Sequence, residues 1–90
     1  MKTIKAIVSG KVQGVGFRMY TQQKAQQFDV RGYVRNLRNG NVEIIATGEI
    51  NAVDSLMQWA KSGPPSAKVN HLKLEVITEV EEFKDFQIRH

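Results

Sequence analysis

Apolar and polar residues alternate one by one across residues 3–10, where Ile4, Ala6 and Val8 occupy every second position. A period of two that includes β-branched residues predicts a strand with one buried face. The same alternation, with apolar residues or glycine on one side, recurs in three further segments: residues 30–35, 42–47 and 72–76. Phe86 and Ile88 leave open whether a short closing strand forms there as a fifth strand.

Two other segments have the period of an amphipathic helix. The first spans residues 17–28, and its apolar face is made by Phe17, Tyr20, Ala25 and Phe28. Asp29 follows it and is expected to end the helix poorly. The second helix has apolar residues at i, i+3, i+4 and i+7, which are Val53, Leu56, Met57 and Ala60.

The ends of the second helix also have sequence signals. Asn51 and Asp54 predict its N-cap and an acidic residue in its first turn. Gly63, which precedes Pro64 and Pro65, predicts its end.

The predicted elements follow the order β-α-β-β-α-β, which is that of the ferredoxin-like, α+β fold. We expect a four-stranded antiparallel sheet with both helices on one face, because right-handed crossovers place them on the same side. The first and second strands are then parallel, with another strand between them. The loop after the first strand and the turn after the second should therefore lie at the same edge of the sheet.

Length and composition limit which kinds of protein and which kinds of site this chain can form. Ninety residues predict one domain, over residues 1–90, and the hydrophobic fraction of 41% is ordinary for a globular chain. Cysteine is absent, which excludes disulfides, thiolate metal sites and cysteine nucleophiles. A net charge of +4 favours anionic partners. We expect a cytoplasmic location, because no signal peptide or membrane-spanning run is apparent.

The segment GKVQGVGFR, residues 10–18, places three glycines before an arginine. It lacks the Lys-Ser/Thr pair of a Walker A loop and the third glycine of a dinucleotide fingerprint. Backbone N–H groups at a helix N-terminus favour anions, and the Arg18 guanidinium can hold two phosphate oxygens. From the residues alone, an anion site and a tight strand-to-helix turn both remain open.

The segment GYVRNLRNGNVE, residues 32–43, predicts a β-hairpin, because both Asn39 and Gly40 tolerate positive φ. Asn36 lies where the second strand ends, on the edge that carries the glycine loop. Its carboxamide can donate and accept, and could orient a water molecule. Bonding to local backbone is the alternative function of such an asparagine.

Other candidates for chemistry are weaker. The two histidines, His71 and His90, have no ligand-like spacing, so no metal site is expected. The serines show no nucleophile-elbow pattern. The carboxylates near the C-terminus are interpreted as a solvated run within a turn: Glu79, Glu81, Glu82 and Asp85.

Together, GKVQGVGFR and GYVRNLRNGNVE resemble the acylphosphatase family, and GPPSAKVNHL at residues 63–72 is similar to that family as well. The resemblance spans essentially the whole chain. It implies a ferredoxin-like fold and hydrolysis of the carboxyl-phosphate bond of an acyl phosphate, without a metal or an organic cofactor. It further implies a small-molecule acyl phosphate as substrate, inorganic phosphate as product and inhibitor, and a monomer.

The resemblance also implies roles for individual residues. Arg18 corresponds to the family's phosphate-binding arginine and Asn36 to its water-positioning asparagine. The phosphate-binding loop maps to Gln13, Gly14, Val15, Gly16, Phe17 and Arg18. Asn39 departs from the aspartate that the family often has before the turn glycine, and asparagine suits that turn equally well.

Three other classes of protein share this strand order. An RNA-binding module would stack bases on aromatic side chains, and the third strand, NVEIIATGE, has none. A metal chaperone would use thiolates, which this chain lacks, and a regulatory domain has no positive signal. In a catalytically silent relative, loss of Arg18 or Asn36 would be expected, and both are present. We therefore expect an enzyme, with neither a nucleic-acid nor a membrane partner.

Overall fold

The computed structural model describes residues 1–78 and 81–90. The predicted acidic turn includes Glu79, which lies, with Val80, outside the described residues. The described elements are β1 (Lys2–Lys11), α1 (Phe17–Gln27), β2 (Arg31–Asn36), β3 (Val42–Gly48), α2 (Ile50–Ala60), β4 (Lys68–Val76) and β5 (Phe86–Arg89).

The sheet has five strands in the order β4-β1-β3-β2-β5. The prediction of four antiparallel strands is therefore wrong in two respects, since β5 joins the sheet and pairs parallel to β2. Alternation within so short a segment cannot reveal its pairing partner, because partner and direction depend on the path of the chain. The other pairings are antiparallel, and β1 and β2 flank β3 as predicted.

The core lies between one face of the sheet and the two helices. Helix α1 packs on β2 and β5, and α2 packs on β1 and β3. The predicted apolar faces of β1 and α2 are confirmed, because all their residues are buried in one cluster: Ile4, Ala6, Val8, Val53, Leu56, Met57 and Ala60. Within the described ranges, no helix has the length and apolar character needed to cross a bilayer.

The buried face of α1 differs from the predicted one. Tyr20 is 37% exposed, whereas Thr21 is fully buried. A buried hydroxyl is tolerated when it has a hydrogen-bond partner. Thr21 Oγ1 donates to the carbonyl of Phe17 one turn earlier, at 2.7 Å, so a polar residue can occupy this position.

Asp29 ends α1 better than its residue type suggests. It adopts a left-handed conformation with φ of 61°. The N–H of Val30 then donates to the carbonyl of Ala25 at 2.8 Å, and the N–H of Asp29 to that of Gln26 at 3.2 Å. This is the bonding pattern of a Schellman motif, which satisfies the last carbonyls of a helix.

The predicted cap of α2 is wrong. The N-cap position is Glu49, and no side chain bonds the first N–H groups of the helix. Asp54 instead pairs with Lys2 on β1, with 2.9 Å between Oδ1 and Nζ. The predicted end is confirmed, since Gly63 has a left-handed φ of 70° and donates to the carbonyl of Trp59.

Strand β4 begins four residues before its predicted start and lies at an edge of the sheet. Its alternation does not translate into a buried face, because Leu74 is 47% and Val76 66% exposed. The helices pack on the other four strands, α1 on β2 and β5 and α2 on β1 and β3, and leave most of β4 uncovered.

Glu43 was predicted to point outward on β3, and it does lie on the face opposite the helices, yet it is only 5% exposed. Its carboxylate accepts hydrogen bonds from Tyr33 Oη at 2.9 Å and from Arg35 Nε at 2.7 Å, with Lys5 Nζ 3.8 Å away. Burial acts to raise the pKa of Glu43, but the bonds from Arg35 and Tyr33 and the nearby charges outweigh it, so the pKa lies below its usual 4.5.

Because folding lowers this pKa, the carboxylate stabilises the protein above about pH 4.5, and that stability is lost as the pH falls through the lower folded value. Glu43→Gln should therefore lower the free energy of unfolding by about 1–3 kcal/mol at pH 7. The difference from wild type should shrink in acid. Urea denaturation across this pH range measures both, with Glu75→Gln as the control for loss of an exposed carboxylate. A difference independent of pH would contradict the role of the charge.

Candidate active site

The loop between β1 and α1 depends on two glycines. Gly14 and Gly16 have φ values of 75° and 78°, a left-handed conformation that strains most other residues. Gly16 is the N-cap residue of α1, and no side chain of the described residues caps the first N–H groups of the helix. These groups have no intrahelical partner. The start of α1 therefore presents unbonded N–H donors together with the positive end of the helix dipole.

A cleft with a volume of about 430 Å³ opens at this helix terminus. Its walls come from the glycine loop, the first turn of α1, and the ends of β2 and β5. The cleft brings together five of the residues predicted for the site: Gly14, Gly16, Phe17, Arg18 and Asn36. The loop after β1 and the end of β2 therefore lie at the same edge of the sheet, as the strand order predicted.

Arg18 is the second residue of α1 and is partly exposed. Its Nη1 lies 3.2 Å from Nδ1 of His90, the residue after β5. Among the described residues, none of the ion pairs involves Arg18, and no Asp or Glu side chain lines the cleft. The guanidinium is thus a cation without a protein counter-charge, beside unbonded helix N–H groups.

Asn36 is the last residue of β2 and is partly exposed at the cleft. The sequence left open whether its carboxamide bonds local backbone. Within residues 1–78 and 81–90 the side chain has no protein hydrogen-bond partner, while that of the nearby Asn39 accepts from the N–H of Asn41 at 3.0 Å. The carboxamide of Asn36 is therefore available to a molecule in the cleft.

The hairpin turn after Asn36 is confirmed, but only one of its two signal residues has positive φ. Gly40 has φ of 95°, whereas Asn39 has a negative φ. The turn closes through hydrogen bonds from Leu37 N–H to the carbonyl of Asn41, at 2.8 Å, and from Gly40 N–H to that of Leu37, at 3.2 Å.

Two residues of the predicted loop contact other parts of the protein through their side chains. Gln13 Nε2 donates to the carbonyls of Leu37 and Asn41, both at 2.8 Å. Val15 is partly buried against the core. The Gln13 side chain therefore ties the glycine loop to the hairpin that carries Asn36.

Sequence reasoning missed His90 as a member of the site. It considered this histidine only as a metal ligand, and in the described part of the chain no three His, Cys, Asp or Glu side chains form a metal-binding group. The parallel register of β5 with β2 pairs Arg35 with Arg89 and so brings His90 beside Asn36. The sequence gives no signal for this position, because it depends on β5 pairing with β2, and that pairing could not be predicted.

Comparison with known proteins agrees with this geometry. The family model described as acylphosphatase matches residues 4–88. The chain belongs to the acylphosphatase family. An acylphosphatase from Acaryochloris marina is 50% identical over 86 residues, which cover 94% of this chain and 90% of that protein. The enzyme accordingly hydrolyses acyl phosphates.

Solved structures support the same assignment. The crystal structure of acylphosphatase from Bacillus subtilis superposes with a TM-score of 0.95, at 37% identity and with all of both chains covered. An acylphosphatase from Coxiella burnetii has a TM-score of 0.92 and 42% identity, over 98% of this chain and 92% of that one. The acylphosphatase-like fold, with two helices and a five-stranded sheet, is therefore shared along the full length.

Gln13→Ala should destabilise the protein, because it removes two hydrogen bonds between the loop and the hairpin and leaves the carbonyls of Leu37 and Asn41 with their backbone donors alone. We expect the free energy of unfolding to fall by about 1–3 kcal/mol. Urea denaturation measures the change, and Gln26→Ala, on the exposed side of α1, is the control. Equal stabilities of the two variants would show that the loop and the hairpin hold together without this side chain.

Proposed function

We propose that the cleft binds the phosphoryl group of a small-molecule acyl phosphate and directs a water molecule at its phosphorus. The observation that carries this proposal is the meeting of the Arg18 guanidinium and the Asn36 carboxamide in one cleft at the start of α1. The first lacks a carboxylate partner and the second lacks a hydrogen-bond partner among the described residues. Both are therefore available to substrate and water.

The anion is held by the glycine loop. The backbone N–H groups of Val15, Gly16 and Phe17, with the Arg18 fork, donate to the phosphoryl oxygens, and Gln13 and Gly14 complete the substrate-binding segment. The left-handed conformations of Gly14 and Gly16 support this assignment, because alternating backbone geometry of this kind lets successive N–H groups converge on an anion. Arginine suits this role since its planar guanidinium can donate to two oxygens at once.

Asn36 orients the attacking water. Its carbonyl oxygen accepts one water hydrogen, so that a water lone pair points at phosphorus, opposite the acyl oxygen. The P–O bond to the acyl group breaks as the bond to water forms, which gives a carboxylate and orthophosphate. Phosphoryl transfer passes through a loose transition state, so positioning and charge stabilisation supply most of the catalysis.

No protein acid or base is needed for this reaction. A carboxylate leaves without prior protonation, because it is a weak base and is stable as an anion at neutral pH. The proton of the attacking water passes to a phosphoryl oxygen of the substrate itself. A site made of N–H donors, one guanidinium and one carboxamide is therefore sufficient.

The proposal also includes the oligomeric state of the enzyme, its location, its inhibitor and its partners. Residues 1–90 act as one domain and as a monomer. The enzyme works in the cytoplasm without a metal or an organic cofactor, and inorganic phosphate, its product, inhibits it by occupying the Arg18 site. No nucleic-acid partner is proposed, because β3 has no aromatic residue for base stacking.

Arg18→Ala should abolish turnover, a loss on the order of 10³-fold or more, because the developing charge loses its guanidinium. Arg18→Lys should recover little, since an ammonium lacks the bidentate geometry. Hydrolysis of an aryl acyl phosphate, assayed with a metal chelator present, measures this. Lys24→Ala removes one charge from the same helix as a control. Substantial activity in Arg18→Lys would contradict the bidentate role.

Asn36→Ala should lower kcat by on the order of 10²-fold or more while phosphate inhibition persists, because orientation of the water is lost and the anion site stays. Steady-state kinetics with inorganic phosphate as inhibitor separate these two effects. Asn51→Ala, at an exposed position of α2, is the matched control. A variant that loses phosphate inhibition but keeps its kcat would instead place Asn36 in anion binding.

A further inference from the structure

His90 occupies a position that the reaction described above does not use. The parallel register of β5 on β2 places it beside Asn36, and its ring lines the cleft with Arg18. The distance between Arg18 Nη1 and His90 Nδ1 is 3.2 Å. A titratable ring therefore contacts the proposed phosphate-binding guanidinium directly.

The contact restricts which form of the ring can take part in it. A guanidinium only donates hydrogen bonds, so a hydrogen bond here requires Nδ1 of His90 to accept. A ring that accepts at Nδ1 carries its hydrogen on Nε2. Protonation places a hydrogen on Nδ1 as well, which removes the acceptor and leaves two cations side by side.

The charged groups on the elements around His90 offer an imidazolium no compensation. Helix α1 contributes Arg18, a second cation. From β2, Arg35 is bonded to Glu43, which lies on the face of the sheet opposite the helices. On β5 itself, Arg89 donates to both carboxylate oxygens of Glu81 and lies over the ring of Tyr33. No Asp or Glu side chain of the described residues lines the cleft, and His90 is exposed, so a bound anion would be the counter-charge nearest to a charged ring there.

We propose that His90 is a proton-dependent phosphate-binding residue. As a neutral ring it accepts from Arg18 in the empty cleft. As an imidazolium it gives up that contact and donates to an oxygen of the phosphoryl group, which then bridges the two cations. This inference rests on the proposed placement of the phosphoryl group at Arg18.

The expected consequence is a pH-dependent affinity. Histidines gain a proton between about pH 8 and pH 5, and over this range the affinity for inorganic phosphate and for substrate should rise relative to an enzyme without this histidine. The added contact acts on bound substrate and transition state alike. It should therefore lower KM and the inhibition constant of phosphate, with little change in kcat.

Two substitutions bracket the two states of the ring. His90→Gln is neutral at every pH and His90→Lys stays charged, and inorganic phosphate is the probe for both. Relative to His90→Gln, wild type should bind phosphate about equally near pH 8 and on the order of fivefold more tightly near pH 5.5. His90→Lys should bind more tightly than His90→Gln at both pH values. Phosphate itself changes charge over this pH range, but the ratio of two variants' affinities at the same pH cancels that effect.

The other histidine of the chain provides an internal control. His71 lies on β4, at the opposite edge of the sheet from β5. By NMR, adding phosphate should move the titration midpoint of the His90 ring to higher pH without moving that of His71. The variant His71→Gln should reproduce the pH dependence of wild type.

Three results would overturn the inference. One is an equal pH dependence of phosphate affinity in wild type and His90→Gln. A second is tighter phosphate binding by His90→Gln at every pH, which would mean that His90 only obstructs Arg18. In either case phosphate still binds, so the proposed function stands. The third is a wild-type enzyme that binds no phosphate at any pH, which would overturn the placement of the anion at Arg18 as well.

Discussion

The active site depends on the connection between two segments that are far apart in the chain. Gln13 joins them, because its carboxamide nitrogen donates to the carbonyls of Leu37 and Asn41. One segment presents helix N–H groups and Arg18, and the other ends in Asn36. An anion held by the first can meet a water held by the second only if their separation is constant. Two hydrogen bonds from one side chain, made across the edge of the sheet, maintain that separation.

Arg18 differs from Arg35 and Arg89 in having no carboxylate partner among the described residues. Arg35 pairs with Glu43 of the neighbouring strand, and Arg89 pairs with Glu81 of the segment before β5, so each already has a carboxylate partner. Arg18 has no such partner among the described residues and contacts a histidine ring instead. An unpaired guanidinium at a helix N-terminus gains most from a bound anion.

Much of the fold and part of the site could be predicted from local patterns. Alternation in β1 and the spacing in α2 identified buried faces correctly, because each residue's environment there follows from its position in the element. The pattern failed where a hydrogen-bond partner allowed a polar side chain to be buried. Thr21 is buried because a carbonyl of its own helix satisfies it, and Glu43 because Arg35 and Tyr33 surround it. Hydrophobicity alone assigns both residues to the surface.

The sequence by itself determined the order of elements, the glycine loop, and the presence of Arg18 and Asn36. These features are local, because periodicity, backbone freedom and side-chain chemistry depend only on each residue and its near neighbours in the sequence. Only the tertiary structure decided that β5 lies parallel to β2, which brings His90 to Arg18, and that Gln13 bonds the hairpin. Such contacts join residues that are distant along the chain. Their existence depends on how strands pair, and no local pattern encodes that.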